Sequence, residues 1–257
     1  MSAEKPRSLS IVMPYYNEEL NIRDSIGGAL AYLRPRFEDF EVVAVDDHST
    51  DRTLAIARER QAAEPRIKIV ALERNTRFAG ALKRGFAAAE KEYVFYTDGD
   101  CPIDFEDIDR AIARLGEVDV VVGCRTTRDA EGWLRKLYTT GYRWMLRFLL
   151  GLNYRDVNFS FKLFPRVAIQ AIMIDSDGSF IDAEILYKLE HAGCRIGEVP
   201  VGYHSRVRGT STLASPTIIF RIVCEVVRFW LVNRRRNAPV PNGRSHETTA
   251  PIDRRRD

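Results

Sequence analysis

Two carboxylates one residue apart, Asp98 and Asp100, stand where an apolar run stops, in Tyr93-Val94-Phe95-Tyr96-Thr97-Asp98-Gly99-Asp100-Cys101-Pro102-Ile103-Asp104. Residues 93–97 are aromatic or β-branched and predict a buried strand. If that strand continues through Gly99, both carboxylates project to one side, because side chains alternate with a period of two. Paired hard oxygens at the carboxyl end of a strand in an open α/β sheet suit Mg²⁺ or Mn²⁺ better than Zn²⁺, and such an ion can bridge a diphosphate. Asp and Gly are also ordinary turn residues, so an acidic turn is the competing reading.

The elements needed to position such a pair are legible around it. Leu9 to Met13 is a short apolar strand closed by Pro14-Tyr15-Tyr16-Asn17-Glu18, and a helix over 20–33 follows with Ile22, Ile26, Ala29, Leu30 and Leu33 on one face. A second strand, 41–45, ends in Asp46-Asp47-His48-Ser49-Thr50-Asp51, where Ser49 or Asp51 can cap a helix over 52–62. A third strand over 67–72 precedes a turn and an Ala-rich helix within 75–91. Strands alternating with helices, each ending in polar residues, specify a mostly parallel α/β sheet with a site along one edge. Pro14 to Glu18, Asp46-Asp47 and Asp98 to Asp100 then lie side by side.

The second half adds a helix over 108–115, a strand over 118–122 ending in Gly123-Cys124-Arg125, a strand over 156–164, a helix led in by Asp182-Ala183-Glu184, an extended 195–203 and a basic loop over 205–211. Asp182 can cap its helix and Glu184 can pair with Lys188 at i+4; equally, the two can face a substrate. Residues 133–152 interleave Trp133, Trp144 and Phe148 with Arg135, Lys136, Arg143 and Arg147, the composition of a helix in a membrane interface or of one packed on the sheet with its arginines outside. A last helix, 216–233, is apolar except for Arg221, Glu225 and Arg228, spaced as one polar stripe.

With 257 residues and 45% hydrophobic content, the chain can bury one large core, expected over 1–233. Net charge is +3, yet seven Arg against Glu247, Asp253 and Asp257 place +4 of it in 234–257, leaving −1 for the rest. That segment is expected to be a disordered basic tail suited to an anionic membrane surface. Nucleic acid is not expected, because the folded part shows no general basic excess. Four scattered cysteines and an N-terminus without a signal-type apolar core predict a cytoplasmic protein with reduced thiols. No stretch reaches the roughly 18 apolar residues that span a bilayer, so a peripheral position on its cytoplasmic face is expected.

Taken in order, these landmarks resemble the family-2 inverting glycosyltransferases, in the dolichol-phosphate mannose synthase-like, polyprenyl-phosphate branch. The matching stretches run from Ile11-Val12-Met13-Pro14-Tyr15-Tyr16-Asn17-Glu18, Val45 to Asp51, Asn75 with Gly80-Ala81-Leu82 and Gly85, and Asp98-Gly99-Asp100. They continue through Gly123-Cys124-Arg125, Asp156 with Phe161-Lys162-Leu163-Phe164, Asp182-Ala183-Glu184, Glu198-Val199-Pro200-Val201, and Arg206 with Gly209 and Ser211. The resemblance implies a GT-A fold and transfer of a sugar from a GDP- or UDP-sugar to a polyprenyl phosphate such as dolichyl or undecaprenyl phosphate. It places Pro14, Tyr16 and Glu18 in the nucleoside pocket and Asp46 or Asp47 on base or ribose. Asp98 and Asp100 hold the diphosphate through Mg²⁺ or Mn²⁺, Arg125 and Arg206 bind phosphate oxygens, and Asp182 and Glu184 lie near the acceptor.

Several residues depart from the branch. Pro102 stands where a metal-contacting Gln is usual, leaving Asp104 or water to complete the shell; Arg77, Ala79 and Ser160 replace glycines, and Thr212 falls at a phosphate-binding Lys, with Arg208 nearby. Two alternatives follow. A sugar-hydroxyl acceptor would need a general base, with Asp182 or Glu184 the candidates. A catalytically silent homologue would keep only the nucleotide pocket.

Overall fold

The computed structural model describes residues 6–126, 133–203 and 216–236. Among these residues seven strands form one sheet in the order β3-β2-β1-β4-β6-β5-β7. β1 (Ser8–Tyr15), β2 (Asp39–Asp46), β3 (Ile67–Ala71) and β4 (Tyr93–Tyr96) run parallel, so their carboxyl ends share one edge as the alternating pattern requires. Period-two alternation divides the apolar residues of each strand between two cores. Leu9, Ile11 and Met13 meet α1 (Ile22–Leu33), α2 (Thr53–Ala63) and α4 (Asp107–Arg114) on one side. Val12, Val43 and Val45 meet α3 (Arg77–Ala88) on the other, where α5 (Trp133–Leu150), α6 (Arg166–Ala171), α7 (Ile181–His191) and α8 (Pro216–Arg236) also pack.

β5 (Val120–Arg125) and β7 (Ile196–Val201) pair in parallel, but β6 (Lys162–Pro165) lies antiparallel between β4 and β5. The strand expected over 156–164 is therefore corrected. Residues 156–161 are a loop, because the Asp156 carbonyl accepts the Phe159 N–H at 3.3 Å and the Phe159 carbonyl accepts that of Phe161 at 2.8 Å, which folds the chain before it can join the ladder. Lys162 consequently sits directly across from both Tyr96 and Val122. The short helix α6, unread in the sequence, is tied down by Gln170, whose side-chain amide donates to the carbonyls of Phe86 and Ala89 at 2.8 and 2.9 Å.

α5 ends at Leu150, two residues earlier than expected, because Gly151 takes a left-handed φ of 74°. Leu146 and Leu150 enter the core, each contributing roughly 1.5–3 kcal/mol through burial, while Arg143, Trp144, Arg147 and Phe148 face outward. α8 anchors through Val226 and Phe229, whose ring packs against Phe180 and Tyr187 at 5.1 Å from each. Its expected polar stripe is not continuous. The Glu225 carboxylate turns inward against Gly178, where a Cβ would collide with it, and Arg228 faces out. The side chain of Arg221 lies outside the described residues, and α8 runs to Arg236, beyond the boundary expected at 233.

Candidate active site

Among the described residues four non-glycines adopt left-handed φ, and each follows one of the first four strands: Asn17 (55°) after β1, His48 (62°) after β2, Arg77 (63°) after β3 and Cys101 (43°) after β4. Backbone strain of that kind persists only where surrounding bonds over-determine it. The first two loops are stapled together. The Asn17 side-chain carbonyl accepts the Thr50 N–H at 2.8 Å, the Asn17 N–H donates to Ser49 Oγ at 3.1 Å, and the Glu18 N–H donates to Thr53 Oγ1 at 2.8 Å. Asp51 Oδ1 accepts the Thr53 N–H at 2.9 Å from one residue ahead of the N-cap, which is Arg52 and carries no side-chain cap, so neither Ser49 nor Asp51 takes the expected capping position.

Of the expected nucleoside-pocket residues, Pro14 is half-buried, Tyr16 is 49% exposed, and the Glu18 carboxylate accepts Asn21 Nδ2 at 2.6 Å. Asp46 and Asp47 are both buried but differently used. Asp46 Oδ2 closes its own loop by accepting the Ser49 N–H at 3.2 Å, while its Oδ1 is buried with no hydrogen-bond partner among the described residues. Asp47 Oδ1 accepts the N–H and hydroxyl of Thr76 at 2.6 and 2.9 Å, tying β2 to the start of α3.

The Asp98-Gly99-Asp100 geometry corrects the strand expectation. β4 stops at Tyr96, and the Cys101 N–H donates to the Asp98 carbonyl at 3.0 Å, so the two carboxylates sit on a turn rather than on an extended strand. Gly99 is demanded by close approach: a Cβ there would lie 2.5 Å from the Pro14 carbonyl oxygen and 2.6 Å from the Tyr15 ring. The acidic turn is thereby pressed onto the end of β1. Burial first, and then Asp100 and Asp98, push the Cys101 thiol well above its usual range. Both Asp100 oxygens are shielded from bulk water.

The donor set fits a hard divalent cation. Two carboxylates leave the remaining positions to phosphate oxygens and water, the arrangement Mg²⁺ favours. Pro102 is buried and Asp104 exposed, and among the described residues no group of three or more His, Cys, Asp or Glu side chains is gathered for a metal.

A second polar cluster lies on the β6 side of this turn. Arg125, at the end of β5, donates to both Asp156 oxygens at 2.6 and 3.2 Å, and its guanidinium stands 5.7 Å from the Phe159 ring and 5.0 Å from that of Tyr203. Lys162 has no exposed surface; its Nζ donates to Asp182 Oδ1 and to the Phe159 carbonyl, both at 2.6 Å. Burial raises the Asp182 carboxyl above its usual range, opposed by Lys162 and reinforced by Asp156. Tyr96 pairs across the sheet with Lys162, whose Nζ lies 5.4 Å from its ring, and its hydroxyl is pushed up by burial, then by Asp182 and Asp98.

Glu184 makes the helix pair that its spacing from Lys188 predicts. Its two oxygens accept the N–H groups of Asp175 and Ser176 at 2.7 Å each, and Lys188 closes the i+4 ion pair at 2.6 Å. Asp182 bonds Lys162 instead of capping α7. Arg206, with His204, Arg208 and Thr212, lies outside the described residues. Lys162 and Thr76 were not singled out by sequence; a lysine inside Phe161-Lys162-Leu163-Phe164 was the available signal, since an apolar strand accommodates an ammonium only with partners.

The profile described as Glycosyl transferase family 2 matches residues 10–173, from β1 past the end of α6. The chain belongs to that family. Among its relatives, a dodecaprenyl-phosphate galacturonate synthase of Rhizobium johnstonii is 28% identical over 235 residues, covering 90% of this chain and 69% of that protein. The glycosyltransferase AglD of Haloferax volcanii is 28% identical over 231 residues, but this chain spans only 37% of its length. In structure, the chain resembles a mannosyltransferase of Pyrobaculum calidifontis solved with GDP-Man and Mn²⁺, with a TM-score of 0.65 at 20% identity over 93% of this chain and 66% of that one. That likeness is one of fold, and it bears out the expected GT-A architecture.

Proposed function

We propose that this family-2 chain transfers a sugar, with inversion, from a nucleotide-diphosphate sugar to a polyprenyl phosphate at the cytoplasmic face of a membrane. The observation that carries the reading is the Asp98-Gly99-Asp100 turn locked against Pro14 and Tyr15 at the strand ends, with Arg125 at the end of β5, on the far side of β6. The nucleoside lies against Pro14, Tyr16, Glu18, Asp46 and Asp47, and the diphosphate lies over Asp98 and Asp100. Mg²⁺ or Mn²⁺ bound by that pair would neutralise the charge that grows on the departing nucleotide. Arg125, and Arg206 with it, present planar guanidinium forks that match phosphate oxygens.

The acceptor is assigned from what the carboxylates are free to do. A lipid monophosphate, with a second pKa of about 6, is largely dianionic at neutral pH and attacks without a base. Its oxygen forms a bond to the anomeric carbon on one face while the bond to the nucleotide diphosphate breaks on the other, and no proton moves. Glu184 is bonded to two backbone N–H groups and Lys188, and Asp182 to Lys162, so neither is poised as the base that a hydroxyl acceptor would require. The relative named as a dodecaprenyl-phosphate galacturonate synthase supports the same acceptor class.

The test is product analysis with a panel of radiolabelled GDP- and UDP-sugars, a defined polyprenyl phosphate and Mg²⁺ or Mn²⁺. Label should enter an acid-labile lipid product, and the panel names the base and sugar. Label in a polysaccharide or glycolipid would support a hydroxyl acceptor. Nucleotide binding without transfer to any acceptor would mark a silent homologue.

A further inference from the structure

A lysine with no exposed surface is tolerated only when its ammonium is fully engaged. Lys162 meets that condition with partners on three separate segments. It bonds Asp182 on α7, the Phe159 carbonyl in the 156–161 loop, and lies 5.4 Å from the ring of Tyr96, its cross-strand neighbour two residues before Asp98. The loop contact reaches Arg125 by two routes. The same loop presents Asp156, which holds Arg125 by two hydrogen bonds, and the Phe159 ring, which lies near that guanidinium. Removing the ammonium releases the Phe159 carbonyl and, with it, the support under the Asp156–Arg125 pair.

We infer that Lys162 is a positioning residue for the acceptor phosphate: it never touches substrate, but fixes the 156–161 loop so that Arg125 meets the phosphate at one set place and Asp182 is held on α7 beside it. This rests on the proposed function, in which Arg125 binds phosphate oxygens, and takes those oxygens to be the acceptor's. A residue needed only for folding would affect donor and acceptor alike. A positioning residue acts on the acceptor alone.

Removing Lys162 by itself would strand a buried carboxylate, so the informative variant is Lys162→Met with Asp182→Asn, compared with Asp182→Asn alone. Relative to that control, the KM for a short-chain polyprenyl phosphate should rise on the order of tenfold, the scale expected when a binding group is misplaced, with donor KM and melting temperature unchanged. An acceptor KM equal to the control's would overturn the inference. If the double variant does not fold, Lys162→Leu with Asp182→Asn, which also removes the donor to Phe159 but leaves a shorter apolar chain, replaces it in the same comparison. A crystal structure of the variant supplies an arm that needs no turnover: the Asp156–Arg125 pair should be displaced, and a superimposable loop sinks the inference. Should the wild-type chain bind no polyprenyl phosphate, the function proposal fails while that structural arm still decides Lys162.

Discussion

Asp182 and Glu184 stand two residues apart on α7, yet their carboxylates do separate work. Glu184→Gln leaves Lys188 and the 175–176 backbone with a weakened partner inside the core, so it should cost about 2–4 kcal/mol in denaturant unfolding. The pH profile of kcat should not move. Asp182→Asn should keep substantial turnover and raise acceptor KM; a drop of several orders in kcat that recovers with rising pH would identify a general base instead. Asp100→Asn should abolish measurable transfer, a loss of at least about 10²-fold, with the circular dichroism and melting temperature of the wild type, and excess chelator should do the same. Wild-type rates in either case would reduce the doublet to an acidic turn. The doublet was legible because residue types and their place after an apolar run survive without coordinates. Its geometry was not, because whether Asp98 to Asp100 continue the strand depends on Gly99 meeting the Pro14 carbonyl, a contact 85 positions back along the chain.

Between elements, side chains rather than backbone set the register of the site. Asp47 reaches Thr76 only because position 80 is glycine; a Cβ there would collide with the Thr76 side chain. Gly80→Ala should therefore pull Thr76 off Asp47, loosen the first turn of α3 and weaken binding of GDP or UDP in a titration, although the substitution favours helix by intrinsic propensity. Unchanged nucleotide affinity would separate α3 from the donor pocket. Glu64 plays a comparable part away from the site, accepting from Arg66 and Arg34 and so joining β3, α2 and α1. Those hydrogen bonds, that from Arg66 first, hold its carboxyl down to about 2 from an ordinary 4.5. The folded state then binds its proton less readily than the unfolded one, so the stabilisation is complete above pH 4.5 and is lost as pH falls from there toward 2. Glu64→Gln should flatten the acid limb of the stability curve in that window; an unaltered limb would assign acid unfolding to other groups. Helical periodicity and apolar runs made most helices and strands legible. The direction of β6 was not, since Lys162-Leu163-Phe164 reads the same in either sense and only the fold of 156–161 turns it round.

For the whole molecule, the unresolved demand is access to a lipid. Among the described residues no helix is long and apolar enough to cross a membrane, and the proposed acceptor, a polyprenyl phosphate, presents its phosphate at a bilayer surface. α5 packs against α8, and together they expose Trp144, Phe148, Val223, Val227, Leu231 and Val232. Arg143, Arg147, Arg228 and Arg234 are exposed on the same two helices, with Trp144 and Phe148 stacked at 5.4 Å. Rings for the interface and guanidinium groups for anionic headgroups are the pairing that a helix resting on a membrane requires. The composition of 133–152 left packing and membrane contact as equal readings; Leu146 packs inward and Trp144 is exposed, and we propose that the exposed face of α5 meets the bilayer. Trp144→Ala with Phe148→Ala should weaken flotation with neutral and anionic vesicles alike, because it removes buried apolar area. Arg143→Gln with Arg147→Gln and Arg228→Gln should weaken only the anionic case, by about 1 kcal/mol per arginine at low salt and less as salt is raised. Neither set touches Asp98, Asp100 or Arg125, so transfer to a detergent-solubilised short-chain acceptor should persist in both. If the wild-type chain remains in the unfloated fraction with anionic vesicles at low salt, the exposed faces of α5 and α8 serve a protein partner rather than a bilayer.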